Sequence, residues 1–310
     1  MTTLVLGATG YLGSHLAARL RRDGPVTGFA RSEAGAQAVR ALGAEPLVGS
    51  LDDEALMRRA FADHDSVVWA AQLMIPAEQA FVRRALGWLA GTGKTFVMTS
   101  GTGVLSERTD GDWSENTFAE ADPFVPRKGL EGRVETENLV LGAHGLRGIV
   151  VRPPAIWGHG GTAILTEIHR SIQASGAACY LGRGLNCYST VHVEDLAELY
   201  ALALARAPAG ALYHAVSGEL PFRVLAEEIA RHRGVPARSL DYGAAREVFG
   251  PSSTAIIFAA SSRSRSPRAR AELGWAPSPD RLDLLAECAD PRYLAAAEKL
   301  GSWVSEGERG

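Results

Sequence analysis

The sequence predicts an α/β fold: a doubly wound parallel sheet carrying a smaller C-terminal lobe. Three observations predict it. A glycine-patterned turn joins strand to helix at residues 4–13, apolar runs then alternate with amphipathic ones through the first half, and the rhythm breaks after Pro153-Pro154.

The opening run reads Leu-Val-Leu-Gly-Ala-Thr-Gly-Tyr-Leu-Gly, so a strand over Thr3–Ala8 passes through Gly7, Gly10 and Gly13 into a helix over Tyr11–Arg22. Each glycine has its own reason to lack a side chain. Gly7 makes the tight turn, Gly10 lets backbone approach a pyrophosphate, and Gly13 lets helix and strand pack closely. Free N–H groups at the helix start, with the helix dipole, then favour an anion. Residues 7–13, including Thr9, Tyr11 and Leu12, are therefore expected to bind a dinucleotide.

The next strand, Val26–Ala30, ends about 20 residues beyond the glycines, where a carboxylate would bind the ribose 2′-hydroxyl of NAD. This chain has Arg31-Ser32 there, a cation and a hydroxyl suited to a 2′-phosphate. The expected cofactor is NADP(H) in preference to NAD(H).

Further strands are expected over Pro46–Val48, Ser66–Ala71, Thr95–Ser100 and Gly148–Arg152, with helices over Ala34–Leu42, Asp53–Ala62, Ala77–Ala90 and Gly129–Ala143. A helix over Ala163–Ala174 follows. Strands at Thr190–Val193 and Ala211–Val216, around a helix Asp195–Arg206, return to the sheet. Helices near Phe222–Arg233 and Leu282–Ala289 complete the chain. The dinucleotide-binding, Rossmann-type domain is thus placed at 1–155 and 187–216, and a substrate lobe at 156–186 and 217–310, with the cleft between them as the substrate site.

Composition excludes several classes. A net charge of −3 and 22% charged residues give no reason to expect nucleic acid or a membrane surface as partner. No run is long enough to span a bilayer, and the N-terminus reads as a core strand, so a cytoplasmic protein is expected. The three cysteines lack metal-ligand spacing, and no metal is expected. Gly91-Thr-Gly-Lys-Thr95 mimics a phosphate loop, but Trp88 stands where its first glycine belongs, and it precedes a strand. The arginine- and serine-rich Ser261–Arg270 reads as a loop entering a helix.

With these residues in view, the chain resembles an extended short-chain dehydrogenase/reductase of the epimerase/dehydratase superfamily. The resemblance rests on residues 7–13, Ala70-Ala71-Gln72, Val151-Arg-Pro-Pro-Ala-Ile-Trp-Gly158, Val191-His-Val-Glu-Asp195-Leu-Ala, and Leu273-Gly-Trp275-x-Pro277. It implies that Ala70, Ala71, Gln72 and Pro153 line the cofactor cleft. Relatives carry a Tyr-x-x-x-Lys pair, in which the Lys lowers the Tyr pKa. Aligned on Glu137, those positions fall on Gly129 and Arg133, so the chain resembles the atypical branch. Arg133 can hold the cofactor ribose and supply charge. The family hydroxyl at the end of the fifth strand falls on Gly101, with Ser100 and Thr102 on either side.

Ser100, Thr102, Lys128, Arg133 and His159 are the candidate catalytic residues. Lys128 adjoins the vacant tyrosine position, and His159 is expected to overlook the nicotinamide side of the cleft. Tyr188 reads more readily as interface filling, His192 as structural, Glu115 as pocket-flanking or capping a turn, and Asp195 as a helix cap. The leading expectation is an NADP(H)-dependent reductase acting on a carbonyl, conjugated C=C or imine of a small molecule. A sugar-nucleotide epimerase or dehydratase with tightly held NAD, and a non-redox isomerase, cyclase or nucleotide sensor, are the alternatives. Two helices, Ala77–Ala90 and Gly129–Ala143, could pair in a homodimer, which the glycines of the second leave open.

Overall fold

A computed structural model describes residues 1–300 of the chain; the last ten residues of the expected lobe lie outside it. β1 (Thr3–Leu6) leads into α1 (Tyr11–Leu20), β2 (Val26–Ala30) into α2 (Glu33–Ala41), β3 (Glu45–Val48) into α3 (Glu54–Asp63), and β4 (Ser66–Trp69) into α4 (Ile75–Leu89). β5 (Thr95–Thr99) runs through a 3₁₀ turn and β6 (Glu107–Arg108) to α5 (Glu131–Leu141), followed by β7 (Arg147–Arg152). With β11 (Ala211–His214) and without β6, these strands form a seven-stranded sheet in the order β11-β7-β5-β4-β1-β2-β3, parallel at every pairing.

Such a sheet is covered on both faces, and its residues sort accordingly. Val5, Val68, Val97, Ile149 and Val151 pack with Leu16 and Tyr200 on one side. Leu4, Leu6, Val67, Phe96 and Val150 pack with Phe61, Phe81 and Val140 on the other. Neighbouring residues on each strand thus enter opposite layers, the period of two that a strand imposes.

After β7 come β8 (Ala155–Trp157), α6 (Ala163–Ser175), β9 (Ala178–Leu181), β10 (Cys187–His192) and α7 (Val193–Arg206), then β11 (Ala211–His214), β12 (Gly218–Pro221), α8 (Phe222–Arg233) and β13 (Ala237–Leu240). α9 (Tyr242–Phe249) and the short α10 (Pro251–Ser253) precede a π-helical turn, Thr254–Phe258; β14 (Ala260–Ser261), α11 (Pro267–Leu273) and α12 (Pro291–Leu300) follow. Trp157, Ile168, Phe222, Phe249, Phe258 and Tyr293 belong to a third apolar cluster, away from the sheet. Ala269, Leu273 and Trp275 pack instead into the layer of Leu16 and Tyr200.

The serine- and arginine-rich segment enters a helix, α11, as expected, and its serines face inward. Ser262 Oγ donates to Thr102 O at 3.0 Å, and Ser262 N to Cys187 O. Ser264 N donates to Ser189 Oγ, and Ser266 Oγ to Val216 O. Phe118 and Arg265 add backbone bonds along it. Residues 260–266 are thereby stitched between the turn after β5 and the strands of the C-terminal half.

Three local expectations change. α5 starts at Glu131, because Gly129 adopts φ +87°, a left-handed conformation that ends rather than begins a helix. Leu284–Ala289 is a 3₁₀ segment capped by Asp283, and the α-helix starts after it, at Pro291. The cap of α7 is His192, whose Nδ1 accepts from Glu194 N at 3.2 Å. Asp195 lies inside the helix and receives Arg281 at 2.9 Å.

Candidate functional site

The turn after β1 shows what its glycines are for. Gly7 has φ +96°, and a Cβ on it would lie 2.6 Å from the Ala70 carbonyl carbon; a Cβ on Gly13 would lie 2.0 Å from Gly7 O. Strand, turn and helix therefore close only without side chains at these positions. Gly10 caps α1 with no side-chain bond, and the first helical bond is Ser14 N to Gly10 O at 2.9 Å. The N–H groups of Tyr11, Leu12 and Gly13 are left facing outward at the positive end of the helix, a cradle that fits a pyrophosphate. Thr9 is exposed beside it. The Tyr11 ring turns away: its hydroxyl donates to Gly158 O at 2.8 Å, and burial raises its pKa above the ordinary phenol range.

Arg31 and Ser32 are exposed directly after β2, the strand that pairs with β1. Ser32 Oγ accepts from Gly35 N at 3.2 Å and caps α2. Among the described residues Arg31 has no ion-pair partner.

A cleft of about 520 Å³ opens beyond the carboxyl ends of β4, β5 and β7, the end of an α/β sheet at which ligands bind. Ala70, Ala71, Gln72, Ser100, Arg133 and Pro153 all line it. So do Thr99, Thr102, Val104, Leu130 and Ile164, with Tyr188, Ile256 and Ile257 opposite.

The hydroxyls at the end of β5 have different partners. Ser100 Oγ donates to Glu137, a fully buried carboxylate that also takes Arg152 Nε at 2.9 Å. Thr99 Oγ1 bonds the Tyr200 hydroxyl at 2.7 Å. Thr102 Oγ1 is buried 3.4 Å from Ser262 Oγ, whose one hydrogen goes at shorter range to Thr102 O. Arg133 reaches Glu78 on α4 at 3.0 Å, and Trp69 Nε1 donates to the same carboxylate at 3.2 Å. Burial raises the Glu78 pKa against the opposing pull of Arg133. Its Oε1 is buried without a partner among the described residues.

Two candidates lie elsewhere. His159 does not overlook the cleft. It sits at φ +54° between Gly158 and Gly160, stacked 5.1 Å from the His15 ring, with Nε2 2.8 Å from Glu194. Those contacts hold it on the outer side of α1. Lys128 is exposed in a separate groove with Arg127, Ser106 and Tyr242, because the chain turns at Gly129 before α5 begins. Glu115 is exposed and does not line the cleft either.

Sequence reasoning missed Glu78 and the apolar wall. Glu78 had a signal, since it shares the α4 face of Phe81, Val82 and Ala85, where a carboxylate is out of place unless paired. Ile256 had none, as its place depends on a turn far along the chain. Among the described residues there is no metal-binding cluster of three His, Cys, Asp or Glu, and no helix long and apolar enough to cross a membrane.

Comparison with known proteins agrees with this geometry. The family described as NAD(P)H-binding matches residues 7–170. An uncharacterized protein of Schizosaccharomyces pombe is 32% identical over 305 residues, covering 95% of this chain and 100% of that one. A 4-hydroxy-2-methyl-3-oxo-4-farnesyl-3,4-dihydroquinoline-1-oxide ketoreductase of Stigmatella aurantiaca is 31% identical, covering 70% of this chain and 69% of that one. The fold resembles a dTDP-glucose 4,6-dehydratase from Bacillus anthracis solved with NAD (TM-score 0.73, 16% identity, 98% of each chain). It also resembles a UDP-glucose 4-epimerase from Thermotoga maritima (TM-score 0.67, 18% identity, 96% of this chain and 99% of that one). The chain belongs to the NAD(P)H-binding family, and its fold is the one this dehydratase and this epimerase share.

Proposed function

We propose that this chain is an NADP(H)-dependent reductase of the atypical short-chain type, acting on the carbonyl, conjugated C=C or imine of a small organic molecule. The observation that carries the reading is the close-packed glycine turn before α1, together with an exposed Arg31 after β2 and a cleft at the carboxyl ends of β4, β5 and β7. A ketoreductase relative supports reduction in particular.

The N–H groups of Tyr11, Leu12 and Gly13 take the pyrophosphate, and Arg31 with the Ser32 edge takes the 2′-phosphate. Ala70, Ala71, Gln72 and Pro153 form the wall along the cofactor, and Arg133 supplies positive charge near the ribose while Glu78 fixes its direction. When bound, the nicotinamide supplies the hydride. Holding the substrate in line beside it provides much of the catalysis. Ser100 commits its hydrogen to Glu137, so Thr102 is the better placed hydroxyl to donate to a substrate oxygen gaining charge.

The test is to identify the nucleotide released on denaturation, and then to measure binding of NADPH and NADH and NADPH oxidation with ketones, enones and imines. Exchangeable NADPH, weak NADH binding and oxidation with one of these classes is the expected result. Retained, non-exchanging NAD, or binding of neither nucleotide, overturns it.

A further inference from the structure

We infer that the second molecule in the cleft is uncharged and predominantly apolar, seated on Ile256 and Ile257, and is not a sugar joined to a nucleotide diphosphate. This deepens the reductase reading and rests on it for the carbonyl alone.

The argument starts from charge. Among the described residues lining the cleft, Arg133 is the one charged side chain, paired with Glu78 at 3.0 Å and already assigned to the ribose. A diphosphate needs cations or several charge-assisted hydrogen bonds when it leaves water, and none faces the substrate side. Arg127 and Lys128 are near in sequence but open into the separate groove. Arg127 donates there to Ser106 Oγ at 2.7 Å and to Ala255 O.

The wall itself is apolar. Val104, Leu130, Ile164, Ile256 and Ile257 face the cleft with the Tyr188 ring. Of the exposed large apolar residues, Ile256 is the one that lines the cleft, at 57% exposure. It sits on the π-helical turn, and the Tyr188 hydroxyl donates to Ile256 O at 2.8 Å, which holds the turn over the cleft. A ligand lying on Ile256 removes that surface from water, the usual source of affinity in such pockets.

The experiment titrates the NADP⁺-saturated protein calorimetrically with acetophenone, butyrophenone, hexanophenone, 4-acetylbenzoate and UDP-glucose, and repeats the ketones with Ile256→Ala and Ile256→Asp. Affinity is expected to rise up to about fourfold per methylene along the ketones. It is expected to fall at least tenfold for 4-acetylbenzoate relative to acetophenone, with no binding of UDP-glucose. Ile256→Ala should weaken hexanophenone several-fold and Ile256→Asp more, with NADP⁺ affinity unchanged. Binding of UDP-glucose, a flat response to chain length, or binding of no ketone overturns the inference. NADPH oxidation is read separately: ketones that bind in this pattern but are never reduced leave the substrate class standing and overturn the reductase reading.

Discussion

Arg133 on α5 and Glu78 on α4 are 3.0 Å apart, the carboxylate fully buried and the guanidinium reaching the cleft. One member of this pair is therefore closed off from solvent and the other lines the cleft. Removing a single partner leaves a buried charge without compensation, whereas replacing both by apolar groups does not. Arg133→Met leaves the fully buried Glu78 carboxylate unpaired and should lower the unfolding free energy by about 3 kcal/mol in urea titrations. Glu78→Leu combined with Arg133→Met should recover most of that stability while cofactor affinity stays weakened. Recovery of both would remove Arg133 from the cofactor site.

Arg31 is exposed and free of ion pairs among the described residues, so its charge is available to a 2′-phosphate. Arg31→Glu replaces attraction by repulsion. NADPH binding should weaken by roughly 10- to 100-fold, the worth of a charged hydrogen bond, while NADH binding changes little. Fluorescence titration with both nucleotides reads the ratio. An unchanged ratio would assign the 2′-phosphate to other residues.

Gly13→Ala places a methyl group 2.0 Å from Gly7 O, which is backbone and cannot rotate away. α1 must shift from β1. Stability is expected to fall by about 2 kcal/mol, within the range for overpacking, and dinucleotide binding should be lost. Thermal unfolding and nucleotide titration of the same variant measure the two effects.

His214 is fully buried, with Nδ1 3.0 Å from Arg265 O, and burial lowers its pKa to about 4. The unfolded chain takes up a proton near 6.5, the folded one not until about 4. The stability held above pH 6.5 is therefore lost as pH falls through that window, on the order of 3 kcal/mol from this residue. His214→Asn should flatten the slope of unfolding free energy between pH 6.5 and 4. His192, also lowered to about 4 by burial, keeps its own share of the slope in that variant.

The sheet was legible in the sequence because its signals are local. The period of two in the strands and the glycine spacing after β1 both act within a dozen residues. The expectation that Ala70, Ala71, Gln72 and Pro153 share one wall came through resemblance, and those residues do line the cleft. His159 and Lys128 were harder to place, because where they point is set by two glycines, Gly158 at φ +107° and Gly129 at φ +87°. Backbone dihedrals of that kind turn a neighbour in sequence away from a site. Ile256 was illegible for the opposite reason, since it joins the cleft only once the chain has folded back from far along its length.

The serines of residues 260–266 fasten together distant parts of the chain, the cleft-lining Thr102 among them. Their hydroxyl and backbone bonds join the turn after β5 to β10 and the segment after β11. Pulling those parts open like a book would break the whole seam at once. The turn bearing Ile256 is tied in as well, through the Tyr188 hydroxyl, so the wall of the cleft is fastened from more than one side.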